Sequence, residues 1–132
     1  MSGKFIRNWL ILPVVLLVLT SLWHLVIFST NYNEHLPGIA RMVDGAPAPL
    51  IVYFLLAHVL AAFGFLRFVP AVSGDTMSFM KNGMVMGWLT FGFFAILSHA
   101  LFQNWTGWLM GMDIAFGTLC GIITGWVHSK IA

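Results

Sequence analysis

Four long apolar runs alternate with three polar connections along the 132 residues of this chain. The runs lie near 9–29, 49–70, 79–102 and 107–128. Each is close to the roughly 20 residues that a helix needs to cross a bilayer. Backbone amides in hydrocarbon must be satisfied within their own segment, so each run is expected to be helical. The first connection, near 30–48, is the longest and holds Glu34, His35, Arg41 and Asp44. Pro37-Gly38 and Ala46-Pro47-Ala48-Pro49 punctuate it, and Pro49 suits a helix start. The second connection contains Ser73-Gly74-Asp75, and the third is a tight turn around 103–106. The pattern predicts an all-α fold, an integral membrane four-helix bundle forming a single transmembrane domain over residues 1–132.

Composition sharpens this reading. Only 8% of residues are charged and 60% are hydrophobic, whereas soluble domains carry about 25% charged residues. No basic run exists, so nucleic acid is not an expected partner. Lys4 and Arg7 precede the first apolar run, as in a signal peptide. The run continues to Phe28 without an A-x-A site, so an uncleaved first span is expected. Lys4, Arg7, Arg67, Lys81 and Lys130 fall on one side of the four spans and only Arg41 on the other. By the positive-inside rule both termini should be cytoplasmic, an N-in/C-in topology. Trp9 and Trp126 then belong near one interface, and Trp23, Trp105 and Trp108 near the other. Trp88 falls near mid-membrane and reads as a packing residue, as does the lone Cys120.

Against this background, ionisable residues inside the spans carry the interest. Asp113 sits within the fourth, and Gly117, Gly121 and Thr124 share its helical stripe. A carboxylate in hydrocarbon costs about 2.5–3.5 kcal/mol even on the lenient insertion scale, so it is expected to face protein. At about 1.5 Å per residue, Asp113 and His24 lie roughly 9 Å from the Arg41 side and His58 roughly 13 Å, with His99 shallower. His58 neighbours Ala61 and Ala62, and His99 shares a stripe with Ala95 and Gly92, so both are expected to point inward. The half on the Lys4 side holds almost nothing ionisable except Arg67 near its end.

Asp113, His24, His58 and His99 thus form a candidate polar intramembrane cluster, open to three readings. It is a hydrogen-bonded lock on helix packing, a proton or ion path, or a metal, haem or quinone site. No H-x-x-x-H or C-x-x-C spacing supports the last, so neither metal nor cofactor is assigned. No nucleophile elbow, phosphate loop or dinucleotide fingerprint occurs, so an enzyme is not expected.

Glycine recurs at four-residue spacing. Gly83 and Gly87 lie in the third span, and Gly107, Gly111, Gly117, Gly121 and Gly125 in the fourth. All seven are candidate helix-packing positions, since such spacing permits close crossing within the bundle or with a partner. A fainter echo links the ends of spans one and three, His24–Phe28–Asn31-Tyr32 and His99–Phe102–Asn104-Trp105. It would suit two parallel helix hairpins related by an axis along the membrane normal.

The closing run, Asn104-Trp105, seven residues, then Asp113-x-Ala115-x-Gly117-Thr118, resembles the signature of a family of small bacterial inner-membrane proteins with four spans and no assigned function. Leu22-Trp23, Tyr32 and Pro70-Ala71 are similar to further positions of that family. This chain has Thr20-Ser21 and Phe94-Ala95 where the family tends to carry an acid and a Tyr-Asp pair. The resemblance implies the architecture and residence in the bacterial inner membrane, but no reaction. The expected function is a non-enzymatic scaffolding or accessory subunit in the lipid bilayer, packing as a homo-oligomer or against a larger membrane complex. The alternatives are a small oligomeric proton or cation transporter or channel using Asp113 and the histidines, and a haem-, metal- or quinone-binding redox subunit.

Overall fold

A computed structural model describes residues 3–35, 39, 41–48, 50–69 and 75–132. Pro37-Gly38, Pro49, Pro70-Ala71 and Ser73-Gly74, singled out in the sequence, lie outside the described residues. Four helical segments are long and apolar enough to cross a membrane: Gly3–Ile27, Ile51–Phe68, Thr76–Leu101 and Gly107–Ile131. The architecture is all-α.

Two of the four segments are not regular. The first begins as α1 (Gly3–Ser21), passes Pro13 without breaking, and widens into a π-helical turn at Leu22–Ile27. A short helix, α2 (Ser29–His35), follows at once. In the connection, β1 (Met42–Val43) and β2 (Ala46–Pro47) pair as a minimal hairpin, Met42 opposite Pro47. Asp44 and Gly45 at its tip have φ of 50° and 77°, the left-handed pair of a two-residue hairpin turn that Asp-Gly favours. The second segment is α3 (Ile51–Phe68). The third is built from α4 (Thr76–Gly87), a π turn at Trp88–Gly92 and α5 (Phe93–Leu101). The fourth is one helix, α6 (Gly107–Ile131), started by Thr106, whose hydroxyl accepts from the Leu109 N–H at 3.3 Å.

The helices pack as two pairs, α1 with α3 and α4 with α6, joined chiefly through α1 and α6. α6 is the hub. In its most apolar stretch 44% of residues are buried, against 11–22% in the other three segments. Leu12, Leu16, Ala62, Phe65, Phe79, Phe116 and Cys120 form the main core, and Tyr32, Leu109 and Met112 a smaller one beside α2. The start of α1 and the end of α6 lie at one end of the bundle, where the Arg7 guanidinium donates to the Ile131 carbonyl. That contact places a cation at the negative pole of the α6 dipole.

Glycine makes the α4–α6 crossing possible. A Cβ on Gly83 would fall on the Gly121 carbonyl oxygen, and one on Gly87 on that of Gly117. A Cβ on Gly125 would fall on the Phe79 oxygen. Gly107 and Gly111 do not share this role. Nothing lies within 4 Å of where their Cβ atoms would stand. At about 100° per residue, the six-residue step from 111 to 117 turns the stripe to another face. Mid-helix Trp88, 45% exposed, does not fill the core. Its indole N–H instead donates to Thr118 Oγ1 at 2.7 Å, a polar tie between the third and fourth segments.

Candidate functional site

Asp113 stands in the second turn of α6 with 7% of its surface exposed. Tyr32, carried in from the side by α2 and also buried, donates its hydroxyl to Asp113 Oδ1. The Trp23 indole N–H donates in turn to the Tyr32 oxygen at 3.3 Å. Burial, and then the neighbouring carboxylate, hold the Tyr32 hydroxyl above the usual phenol range, so it remains a donor.

His24 approaches the same Oδ1 with its Nε2 at 3.5 Å. Its Nδ1 lies 2.9 Å from the Thr20 carbonyl oxygen. A carbonyl only accepts, so Nδ1 carries a hydrogen. Nε2 of a neutral ring would then turn a lone pair towards a carboxylate oxygen. The approach becomes favourable when one further proton lies between them, on Nε2 or on the carboxyl. Aromatic rings pack around the half-buried His24. The His24 ring lies 4.5 Å from that of Tyr32 and 5.0 Å from that of Phe116, and Phe91 packs on Phe116 at 4.8 Å.

Thr20 extends the network to α3. Nδ1 of His58 is 2.7 Å from the Phe54 carbonyl and therefore donates, so its Nε2 accepts from the Thr20 hydroxyl at 3.1 Å. The resulting chain runs from Trp23 through Tyr32, Asp113, His24 and Thr20 to His58. It ties α1, α2, α3 and α6 together at the α2 end of the bundle.

The structure thus brings Asp113 and His24 into contact and places His58 two links away. His99 is not among them. It is exposed, and its Nδ1 donates to the Trp105 carbonyl at 2.6 Å. The buried stripe of this segment steps by three through Gly92, Ala95 and Ser98, which turns His99 outwards, contrary to the inward orientation expected from its spacing. Tyr32 and Trp23 are the members that the sequence reading missed. The π turn at Leu22–Ile27 narrows the angle between neighbours, so Trp23 and His24 both reach Phe116.

The opposite end is also not empty of ionisable groups. His128 is 3% exposed, with its ring edge-on to Phe79 at 5.0 Å, and Thr124 is fully buried one turn away. The spacing 113–117–120–124–128 is the signal that could have found it. No group of three or more His, Cys, Asp or Glu positioned to hold a metal occurs among the described residues. Asp113 and His24 supply only two such donors.

Residues 5–129 match a family described as predicted membrane proteins, DUF2177. The chain belongs to this family. The match covers both members of the Asp113–His24 contact, and it extends over all four apolar helices. No curated protein and no solved structure matches the chain. Membership in DUF2177 therefore establishes a multi-pass membrane protein and assigns no reaction.

Proposed function

We infer that this DUF2177 protein is a non-enzymatic scaffolding or accessory subunit of the bacterial inner membrane. Both termini are cytoplasmic, and it packs against itself or a larger complex. The supporting observation is how its intramembrane polar groups are spent. The Asp113 carboxylate is occupied by Tyr32 and His24, in a chain of contacts that ties α1, α2, α3 and α6 together, which is the work of a lock on packing. The outer surface of the bundle meanwhile carries features ill suited to lipid. His99 and Thr90 are exposed there, and Gly107, Gly111 and Ala115 form an open, small-residue strip on α6. Five of the 6 basic residues lie on the side of the termini, which supports the orientation. The test is purification in mild detergent from crosslinked membranes, with mass spectrometry. A reproducible partner, or a second copy crosslinked through α6, is the expected result. A monomer without partners in both crosslinked and native preparations would refute the reading.

One observation favours proton transport as a second reading, the approach of His24 Nε2 to within 3.5 Å of Asp113 Oδ1 inside the spans. Liposomes loaded with a pH dye separate the two. Uncoupler-independent proton flux abolished by Asp113→Asn would support transport, and flux no greater than in empty liposomes would exclude it.

A further inference from the structure

An open groove of about 570 Å³ runs between α3 and α4, lined by Phe68, Asn82, Val85, Met86 and Leu89. It exists because α3 packs on α1 and α4 on α6, so these two helices scarcely meet. Its polarity is graded along the helices. Val85 and Leu89, further into the bundle, are apolar and exposed. Asn82, nearer the end that holds the termini, is exposed, and its amide has no hydrogen bond among the described residues. Lys81 precedes it and shares a helical stripe with Val85, one turn closer to that end. Arg67 precedes Phe68 in the last turn of α3. Both cations are exposed, and neither forms an ion pair among the described residues. The nearby acid, Asp75, feels the charge of Lys81 without forming an ion pair with it, and directs its oxygens to the Met77 and Ser78 N–H groups and the Ser78 hydroxyl.

We propose that this groove binds one anionic phospholipid. Its phosphate lies against Lys81 and Arg67, its ester carbonyls accept from the Asn82 amide, and an acyl chain follows Val85 and Leu89. The sequence of cation, amide and hydrocarbon matches the sequence of phosphate, ester and chain in a lipid. An unpaired amide facing hydrocarbon is costly, and an ester carbonyl removes that cost. Basic pockets between transmembrane helices are the usual seats of anionic headgroups, and the volume lies within the range of small-molecule sites. An apolar helix from a second chain would fill the hydrocarbon end but leave both cations unmatched. The proposal is independent of whether the protein is a scaffold or a transporter.

Native mass spectrometry of the full chain tests it, with phosphatidylglycerol and phosphatidylcholine offered at equal concentration in mild detergent. The wild type should retain one phosphatidylglycerol in preference to phosphatidylcholine. Lys81→Gln and Arg67→Gln should each lower that preference about fivefold, the weight of one cation at an anionic lipid surface. Asn82→Leu should weaken retention of both lipids, and Lys4→Gln, on α1, should change nothing. Equal retention of the two lipids by the wild type would overturn the proposal. So would an equal loss from Lys4→Gln, which would reveal general surface charge. A disulfide dimer formed in membranes by Val85→Cys would place a second copy in the groove and overturn it as well.

Discussion

The Tyr32 hydroxyl donates to the Asp113 carboxylate across 81 positions of sequence, and it is what pins the short helix α2 against α6. Tyr32→Phe keeps the ring and its contact with His24 but removes that donor. The carboxylate is left with one partner fewer in a buried setting, a loss of about 1–3 kcal/mol. Thermal unfolding in detergent should therefore show a lower Tm. In a double-mutant cycle, adding Asp113→Leu, which removes the acceptor, should cost less than it does alone, because the two residues act on one bond. Strict additivity would mean that the bond contributes nothing.

Asp113 itself separates charge from shape. Asn keeps an oxygen that accepts from Tyr32, so Asp113→Asn should retain the fold with a modest loss. Asp113→Leu strands the buried Tyr32 hydroxyl and His24 Nε2 together, and should destabilise by several kcal/mol, as when one partner of a buried pair is removed. Comparable Tm values for the Asn and Leu variants would show that the polar network is dispensable.

Much of this was legible in the sequence, and the failures have physical causes. The runs of apolar residues are dictated by bilayer thickness, so the four helices could be read directly. Asp113 could be placed in the interior from the cost of facing lipid. His99 misleads because it lies four residues on from Ala95, whereas the buried stripe steps by three through Gly92, Ala95 and Ser98. Tyr32 was invisible for a different reason. It lies beyond the first apolar run, and only the turn at Phe28 folds it back onto α6. The Asp44-Gly45 turn has a local signal, the Asp-Gly dipeptide, set among prolines that also favour turns. Gly107 and Gly111 fit the spacing rule but not the phase, since spacing alone does not say which face meets a neighbour.

That distinction makes the glycines a sharp test. At Gly121 a side chain would strike the Gly83 carbonyl and the backbone of Met84. Backbone cannot rotate aside, so Gly121→Leu should destabilise by at least about 1–3 kcal/mol, the range for overpacked sites. Gly111→Ala meets open space, and in a helix interior alanine is favoured over glycine by up to about 1 kcal/mol. It should leave the Tm unchanged or raise it. Similar losses at both positions would contradict the close α4–α6 crossing.

Asp75 predicts a pH dependence at the start of α4. Its carboxylate accepts from the Met77 N–H at 3.1 Å and the Ser78 N–H at 3.2 Å, a helix N-cap. The Met77 N–H, and then Ser78, hold its pKa below the ordinary carboxylate value of 3.8. A group depressed in the folded state stabilises fully above its unfolded pKa and loses that contribution as pH falls through its folded one. The cap should therefore hold at pH 7 and weaken only below about pH 4. Asp75→Asn, which still caps but does not titrate, should flatten this part of the Tm profile. An unchanged acid limb in the variant would assign the effect to other groups.

Orientation is the last prediction. The Arg7–Ile131 contact puts the start of α1 and the end of α6 at one end of the bundle, and an odd number of crossings leads from Gly3 to Arg41. By the positive-inside rule, five cations on the terminal side against Arg41 alone predict that side to be cytoplasmic. Nothing lies within 4 Å of a Cβ built at Gly3, and Arg41 is exposed, so both accept cysteine without disturbing packing. Native Cys120 is 2% exposed and should stay silent. In intact cells an impermeant maleimide should label Arg41→Cys and spare Gly3→Cys until the membrane is opened. Labelling of Gly3→Cys alone in sealed cells would invert the topology, and would place the Asp113 network in the cytoplasmic half of the bilayer.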